Sequence, residues 1–249
     1  VLRKHGADIS GKGEKATVPI RIKPAKLKGG VMEIDGTLSS QFISSLLITC
    51  PNLKEDSLIR IRGDYIVSRP YIEMTRAVLQ KAGVKVRPRN LRQYFVKGNQ
   101  RFRGLKNFIV PDDYGLAAFF MVAACLLKSR IILKRNSRDH LVQADKNILA
   151  FLKRMGARIK ISSRSIILEG PARLRGGNFC LRDSPDLVPI MTIAALFAKG
   201  KTTLSGISHV RAKESNRISD LRQELLKAGA KIRETRDSLI IYPVRNMIS

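Results

Sequence analysis

The sequence predicts a mixed α/β (α+β) fold built from a repeated βαβαββ unit, with about three complete copies. Three helical stretches end in closely similar strings, Leu79–Val86, Leu152–Ile159 and Leu225–Ile232. Their glycines at positions 83, 156 and 229 are separated by 73 residues each time. A constant period of this size indicates one repeated supersecondary unit. The string Leu2–Ile9 closes a fourth, mostly absent copy.

The middle copy shows the order of the elements most clearly. The glycine after each second helix fits a left-handed cap, where a side chain would be costly. The first helix of each copy is apolar nearly all round, which predicts a buried position. From periodicity we predict a strand at Phe108–Val110, a helix at Tyr114–Leu127, a strand at Arg130–Leu133, an amphipathic helix at Ala144–Met155, and a strand pair at Ala157–Ile161 and Ser165–Leu168.

The net charge of +27 would by itself favour a nucleic-acid binder. Lysine and arginine are nevertheless spread through every segment, aromatic residues make up only 6%, and no zinc-finger, helix-turn-helix or ribonucleoprotein pattern is present. We therefore expect no specific nucleic-acid partner. The cationic surface would attract substrates that carry phosphate and carboxylate groups, with non-specific polyanion binding as a side property.

The cysteines and the hydropathy exclude several other classes. Cys50, Cys125 and Cys180 lie in apolar segments without a Cys-x-x-Cys pair, which argues against a disulfide framework and a zinc site. This usage predicts a reducing, cytoplasmic location. No apolar stretch approaches the ~20 residues of a membrane span, so we expect no membrane partner.

An acid, a base and two cations occur together late in the chain. Asp186 follows Ser-Pro, and the string Arg211–Arg217 reads Arg-Ala-Lys-Glu-Ser-Asn-Arg. An ionised aspartate can accept a proton, a protonated glutamate can donate one, and Lys213 and Arg217 can bind an anion. This set favours acid–base chemistry on phosphorylated substrates.

The same string also has a simpler interpretation. A charged run of this kind is most often a solvated ion-pair stripe. The i, i+4 spacing would place Lys213 and Arg217 on one face of the helix that ends at Ala228.

Three motifs together resemble the EPSP synthase (3-phosphoshikimate 1-carboxyvinyltransferase) family. Ser39–Phe42 reads Ser-Ser-Gln-Phe, Ser68–Tyr71 reads Ser-Arg-Pro-Tyr, and the late Lys-Glu-Ser-Asn-Arg follows a Pro-Asp and an alanine-rich helix. Asn216 replaces the usual aspartate. The resemblance implies two lobes that face each other across a cleft, with residues 1–110 as the end of the first lobe and 111–249 as part of the second. The crossover would lie near Arg103–Pro111.

The resemblance also implies an activity and the residues that carry it out. The activity is enolpyruvyl transfer from phosphoenolpyruvate to the 5-hydroxyl of shikimate 3-phosphate, a step of the shikimate pathway to chorismate and the aromatic amino acids, without a metal or organic cofactor. The implied roles are Asp186 as proton acceptor, Glu214 as proton donor, Ser39, Ser40, Gln41, Ser68, Asp186 and Lys213 as contacts to shikimate 3-phosphate, Gln41 and Arg217 as contacts to phosphoenolpyruvate, and Tyr71 as a pocket-lining residue.

Some of these residues sit where helix caps are expected. Without the resemblance, capping would be the favoured role of Ser39 and Ser40. A cap would also be natural at Asp186, behind Pro185. Asp113 opens the equivalent helix of the middle copy without the family's serines, so we predict a structural cap there. His209 falls where many relatives carry a polar contact, and we leave it outside the predicted site.

Two other functions stay open from the sequence. One is the enolpyruvyl transferase that acts on UDP-N-acetylglucosamine, which shares the repeat. The other is an inactive basic repeat protein that binds a polyanion. We expect a truncated chain, which would be a fragment, one half of a split enzyme or the product of a decayed gene. Such a chain would have little or no activity alone, and the complete protein would be monomeric.

Overall fold

The computed structural model describes residues 1–13, 17–105, 107–135 and 141–244. They form two compact units, Val1–Asn107 and Phe108–Ser249. The predicted lobe boundary, between residues 110 and 111, falls three residues after this division. The assignment of the two units to two family lobes stays a prediction.

The first unit contains an antiparallel ribbon and one complete βαβαββ copy. The ribbon follows a 3-10 helix at Leu2–His5. It occupies the position in the chain at which the repeat predicts the two closing strands of the fourth copy. The sheet of the complete copy has the order β3-β4-β6-β5, in which β3 and β4 are parallel. The elements are β1 (Asp8–Lys12), β2 (Thr17–Lys23), β3 (Gly30–Asp35), α1 (Ser40–Thr49), β4 (Ser57–Arg62), α2 (Arg69–Lys81), β5 (Val86–Asn90) and β6 (Gln93–Val96).

The second unit contains the other two copies. Its elements are α3 (Tyr114–Leu126), β7 (Arg130–Lys134), α4 (Asn147–Met155), β8 (Arg158–Ile161), β9 (Ser165–Glu169), β10 (Asn178–Cys180), α5 (Val188–Leu196), β11 (Thr202–Ser205), α6 (Arg217–Lys227), β12 (Lys231–Glu234) and β13 (Ser238–Tyr242). The last copy has the order β10-β11-β13-β12, and its first two strands are again parallel. The middle copy has only the order β7-β9-β8 among the described residues. The predicted βαβαββ order is therefore confirmed in the first and last complete copies.

Each second helix ends in the same way. The glycines at 6, 83, 156 and 229 all have positive φ, between +80° and +99°, as predicted for a left-handed cap. In three copies the carbonyl of the residue before this glycine accepts a backbone N–H from the segment that follows the copy's last strand. This bond satisfies a carbonyl that has no partner within the helix. The pairs are Lys28 N–H to His5 at 2.8 Å, Arg103 N–H to Ala82 at 2.8 Å and Arg175 N–H to Met155 at 2.7 Å.

The strand predicted at Phe108–Val110 is wrong, because the described residues there form no strand. In the first and last copies a glycine follows the residue whose N–H binds the helix end. These glycines, Gly29 and Gly176, pack so tightly that a Cβ on either would overlap backbone carbonyl oxygens. The corresponding Gly104 has no atom within 4 Å of such a Cβ. The segment around Gly104 thus lacks the close backbone contacts that Gly29 and Gly176 make shortly before strands β3 and β10, and Phe108–Val110 pairs with no strand among the described residues.

Each unit has its own apolar core. Helix α5 is buried nearly all round, as predicted for a first helix. For α3 the same prediction is only partly right, since Leu116, Phe119 and Phe120 are more than half exposed. No helix in the described ranges is both long enough and apolar enough to cross a membrane.

Candidate functional site

The predicted serine contacts lie at one edge of the sheet in the first unit. Strands β3 and β4 run in parallel with Asp35 opposite Arg62, and helices α1 and α2 start after them. The N–H of Val67 donates to the carbonyl of Gly36 at 3.0 Å, which joins the two connecting loops. Because the carboxyl ends of parallel strands meet at the same edge, both helix N-termini point their free N–H groups to that edge. Such an edge is suited to bind an anion.

Ser39 is the N-cap of α1, and its Oγ accepts the N–H of Gln41 at 3.2 Å. Ser39 and Ser40 are buried, whereas Gln41 is exposed. A serine hydroxyl that accepts one hydrogen bond still has a proton to donate. Capping and anion binding are therefore compatible roles for Ser39.

Ser68 has an unusual backbone and an unsatisfied side chain. Its φ of 52° and ψ of 36° lie in the left-handed region, which residues other than glycine occupy at a cost. The residue is 3% exposed, and its Oγ has no hydrogen-bond partner among the described residues. A buried hydroxyl without a partner costs about 1–3 kcal/mol. Strain and an unsatisfied donor at a helix N-terminus together single out Ser68 among the predicted contact residues.

Tyr71 lies one turn into the same helix. It is half-buried, and its N–H donates to the carbonyl of Ser68 at 3.0 Å. A hydrogen bond of 2.9 Å between the hydroxyls of Ser44 and Thr75 holds α1 against α2. The two helices are thereby fixed to each other close to the serine-lined edge.

The residues of the late motif also follow two parallel strands, in the sheet of the last copy. Strands β10 and β11 are parallel, with Cys180 opposite Ser205. Asp186 lies in a 3-10 helix that follows β10, and His209 lies in one that follows β11. The fold therefore brings residues from two distant parts of the sequence to one sheet edge.

Arg217 holds two of the predicted site carboxylates. Its Nη1 lies 2.5 Å from Oδ1 of Asp186, and its Nη2 lies 2.9 Å from Oε2 of Glu214. Burial acts to lower the pKa of Arg217, but the two carboxylates outweigh it and raise that pKa. Helix α5, which follows Asp186, has no side-chain cap, so the capping role considered for Asp186 is not the one found.

Glu214 is set up as an anion in this arrangement. Its side chain is 72% exposed, and its pKa is lowered first by a hydrogen bond with its own backbone and then by Arg217. The predicted role of Glu214 as proton donor requires the protonated form. That form becomes favourable only when Arg217 is drawn away to another anion.

Lys213 is not on a helical face with Arg217, and that expectation is wrong. The side-chain oxygen of Asn216 accepts the N–H of Ser219 at 3.3 Å, and this cap starts α6 at Arg217. Lys213 precedes the helix in an extended conformation. Asn216, which stands where the family's usual residue is aspartate, thus caps α6, and its oxygen also accepts from Arg211 at 3.4 Å.

Asp113 is confirmed as a structural cap. Its Oδ1 accepts the N–H of Leu116 at 2.9 Å at the start of α3. This hydrogen bond is the helix cap that the sequence predicted for Asp113 in a copy that lacks the family's serines.

His209 is not among the predicted site residues, but the structure places it beside Lys213 and Asp186 of that site. It is 5% exposed, and neither ring nitrogen has a partner among the described residues. Burial and then the charge of Lys213 lower its pKa to about 4, while Asp186 acts in the opposite direction. A neutral buried imidazole offers one donor and one acceptor to a ligand. In the sequence, the feature that could have indicated a site role for His209 is its position four residues before Lys213.

Comparison with known proteins gives a consistent family. The model of the EPSP synthase (3-phosphoshikimate 1-carboxyvinyltransferase) family matches residues 1–249. The chain is 37% identical to a 3-phosphoshikimate 1-carboxyvinyltransferase of Methanococcus maripaludis over 249 residues, which cover 99% of this chain and 57% of that protein. It is 38% identical to the Methanocaldococcus jannaschii protein of the same name over 231 residues, covering 93% and 53%.

A solved structure agrees with the sequence relatives. The 2.37 Å structure of EPSP synthase from Acinetobacter baumannii matches with a TM-score of 0.69 at 26% identity, over 98% of this chain and 56% of that one. The chain thus spans a little over half the length of the relatives it matches. Across its whole length, it belongs to the EPSP synthase (3-phosphoshikimate 1-carboxyvinyltransferase) family.

Proposed function

We propose that this chain takes part in the transfer of the enolpyruvyl group from phosphoenolpyruvate to the 5-hydroxyl of shikimate 3-phosphate. The products are 5-enolpyruvylshikimate 3-phosphate and phosphate, in the pathway to chorismate and the aromatic amino acids. The observation that carries the proposal is Arg217 between Asp186 and Glu214, beside Lys213 and His209. The family membership of the chain supports the choice of reaction.

In this proposal the serine-lined edge of the first unit binds shikimate 3-phosphate. Ser39, Ser40 and Ser68 donate hydroxyl hydrogen bonds to the 3-phosphate, together with free N–H groups at the two helix N-termini. Gln41 is exposed and contacts both substrates. The strained, unsatisfied Ser68 is the best-supported of these contacts, because a phosphate oxygen would satisfy its buried hydroxyl.

The second unit supplies the acid–base groups. Lys213 holds the hydroxyl substrate, and Asp186 takes the proton of the 5-hydroxyl as that oxygen forms a bond to C2 of phosphoenolpyruvate. Glu214 gives a proton to C3 in the same addition. Glu214, now a carboxylate, then takes a proton back from C3, and the double bond is restored as the C2–O bond to phosphate breaks. The departing phosphate carries away the proton that Asp186 took. Hydrogen bonds and charges aimed at the reacting groups lower the barrier of each step.

Arg217 links substrate binding to these proton transfers. Phosphoenolpyruvate carries a carboxylate and a phosphate, and Arg217 is the cation proposed to bind it. When the guanidinium turns to the substrate, Asp186 and Glu214 lose a partner that stabilises their charged forms. Both carboxyl groups thereby become stronger bases, and Glu214 can hold the proton that it later donates.

Calorimetric titration of this chain tests the substrate assignment. We expect shikimate 3-phosphate to bind and UDP-N-acetylglucosamine to give no measurable heat of binding. Ser68→Ala should weaken binding of shikimate 3-phosphate, by about 1.5–3 kcal/mol for a hydrogen bond to a charged group. Ser57→Ala is the control, because Ser57 is also a buried serine but lies at the start of strand β4, at the opposite end of the sheet from Ser68.

Tighter binding of the nucleotide sugar would transfer the assignment to the other enolpyruvyl transferase. Equal effects of the two serine variants would remove Ser68 from the phosphate site. Release of phosphate from phosphoenolpyruvate, dependent on shikimate 3-phosphate, then tests the reaction itself. This assay is run with the chain alone and with the remaining part of a relative supplied as a second polypeptide.

A further inference from the structure

A basic groove lies in the second unit, outside the candidate site. Its volume is about 610 Å³, and it is formed by the end of α4, the start of β8 and the segment after β9. We define the basic groove by its five cationic residues, all of them exposed: Lys153, Arg154, Arg158, Arg173 and Arg175. The other lining residues are glycine, proline and alanine.

None of these five cations forms an ion pair within the part of the chain that the structure describes. A second groove, lined by Arg60, Arg62 and Arg92, is different. There Arg62 pairs with Glu33, and Arg92 donates to two backbone carbonyls. The basic groove therefore differs in its larger number of cations and in having no carboxylate paired with any of them among the described residues.

Two of the five cations are held in place by the protein. Arg154 donates to the carbonyl of Asn178 at 3.0 Å and stacks over the ring of Phe179 at 4.7 Å. Arg158 donates to the carbonyl of Pro171 at 3.4 Å. The side chains of Lys153, Arg173 and Arg175 have no hydrogen bond within the described ranges, so their charged ends are available to a ligand.

The repeat explains why the cations meet at this place. The carbonyl of Met155 at the end of α4 accepts the N–H of Arg175, so the segment that leaves the sheet crosses the helix end. The negative end of the helix dipole offsets part of the repulsion between the cations. An anion in the groove would relieve the remaining repulsion, and five cations along one groove match an extended polyanion better than a single phosphate.

We propose that the basic groove binds the phosphate backbone of double-stranded nucleic acid without regard to base sequence. Contacts from lysine and arginine to phosphates give affinity but carry no sequence information. No aromatic side chain lines the groove, which argues against a single strand held by base stacking. The lining also lacks large apolar side chains of the kind that insert into a lipid surface. This proposal does not depend on the proposed transferase function.

Fluorescence-anisotropy titration of a labelled DNA duplex over a series of salt concentrations tests the proposal. The groove variant carries Lys153→Gln, Arg173→Gln and Arg175→Gln, which removes three charges and leaves the contacts of Arg154 and Arg158 intact. The control variant carries Lys54→Gln, Arg87→Gln and Lys97→Gln, three exposed cations of the first unit. Both variants lose the same net charge.

We expect the groove variant to lose at least about tenfold in affinity at low salt, and its salt slope to fall by about 2.7 for three lost phosphate contacts. The control variant should change affinity less than about threefold, through the long-range field only. Equal losses in both variants would show that net charge and not the groove is responsible, and would overturn the proposal. Absence of duplex binding, or tighter binding to vesicles that contain phosphatidylserine, would also overturn it. Circular dichroism of both variants confirms that each has folded.

Discussion

Arg217 donates a hydrogen bond of 2.5 Å to Asp186, although the two residues lie 31 positions apart in the sequence. Asp186 follows strand β10 and Arg217 opens the helix after β11, so their contact depends on the parallel pairing of these strands. The same guanidinium also holds Glu214. One arginine therefore pairs with both carboxylates to which the proposed mechanism gives opposite proton-transfer roles.

In a completed protein, with the remaining part of a relative supplied as a second polypeptide, Asp186→Asn should reduce turnover by about 10²–10⁴, the range typical of loss of a general base. The change is nearly isosteric, so the circular dichroism spectrum should stay the same. Asp113→Asn is the control, because asparagine caps a helix as well as aspartate does. Turnover is measured as phosphate release. A value close to that of the unmodified protein would remove Asp186 from the mechanism.

In the same completed protein, Glu214→Gln should lower the turnover number more than it raises the Michaelis constant. The amide can still accept from Arg217 but cannot transfer a proton, so a step of the reaction and not substrate binding is impaired. Steady-state kinetics with varied phosphoenolpyruvate separate the two quantities. A raised Michaelis constant with an unchanged turnover number would instead make Glu214 a binding residue.

His209 should make folding stability depend on pH. Its pKa is lowered from 6.5 to about 4 in the folded chain, mainly by burial. Between these values the unfolded state binds more protons than the folded state, so stability falls as pH decreases through this window and is fully present above it. His209→Asn should lose less stability over the same window, measured by urea midpoints at several pH values. Parallel pH profiles for the two proteins would contradict this cause.

Asn216→Asp should stabilise the chain by about 0.3–1 kcal/mol. Aspartate keeps the cap on Ser219 and adds a negative charge at the N-terminus of α6, where the helix dipole and Arg211 both favour it. Thermal melting at low salt measures the effect, which should shrink at high salt. Asp220→Asn removes a charge from the same helix turn and should act in the opposite direction. A lower melting temperature for Asn216→Asp would show that the site does not tolerate the charge.

Gly156→Ala should destabilise the chain by about 1–2 kcal/mol, because Gly156 has a φ of +99° that an alanine adopts only with strain. Gly104→Ala is the matched control, since a Cβ there would meet no atom within 4 Å. Denaturant unfolding of the two variants compares them directly. Equal destabilisation would mean that the left-handed cap is not the source of the cost.

Much of the fold could be predicted from the sequence because the repeat depends on short-range sequence patterns. The period of 73 residues, the glycine after each second helix and the alternation of strands and helices predicted the βαβαββ order. The cap at Asp113 was equally local. The three motifs that resemble the family identified the candidate residues. Their spacing alone did not predict that Arg217 pairs with Asp186 or that His209 is buried.

Tertiary structure decided what depends on distant partners. Phe108–Val110 has the composition of a strand but pairs with no strand in the described ranges, and Gly104 before it lacks the close backbone contacts of Gly29 and Gly176. Helix α3 is as apolar as α5, yet only α5 is covered nearly all round, since burial depends on which elements pack around a helix. The contact of Arg217 with Asp186 likewise required parallel pairing of β10 with β11. Local sequence fixes backbone preferences and caps, whereas contacts between residues far apart exist only once the sheets have formed.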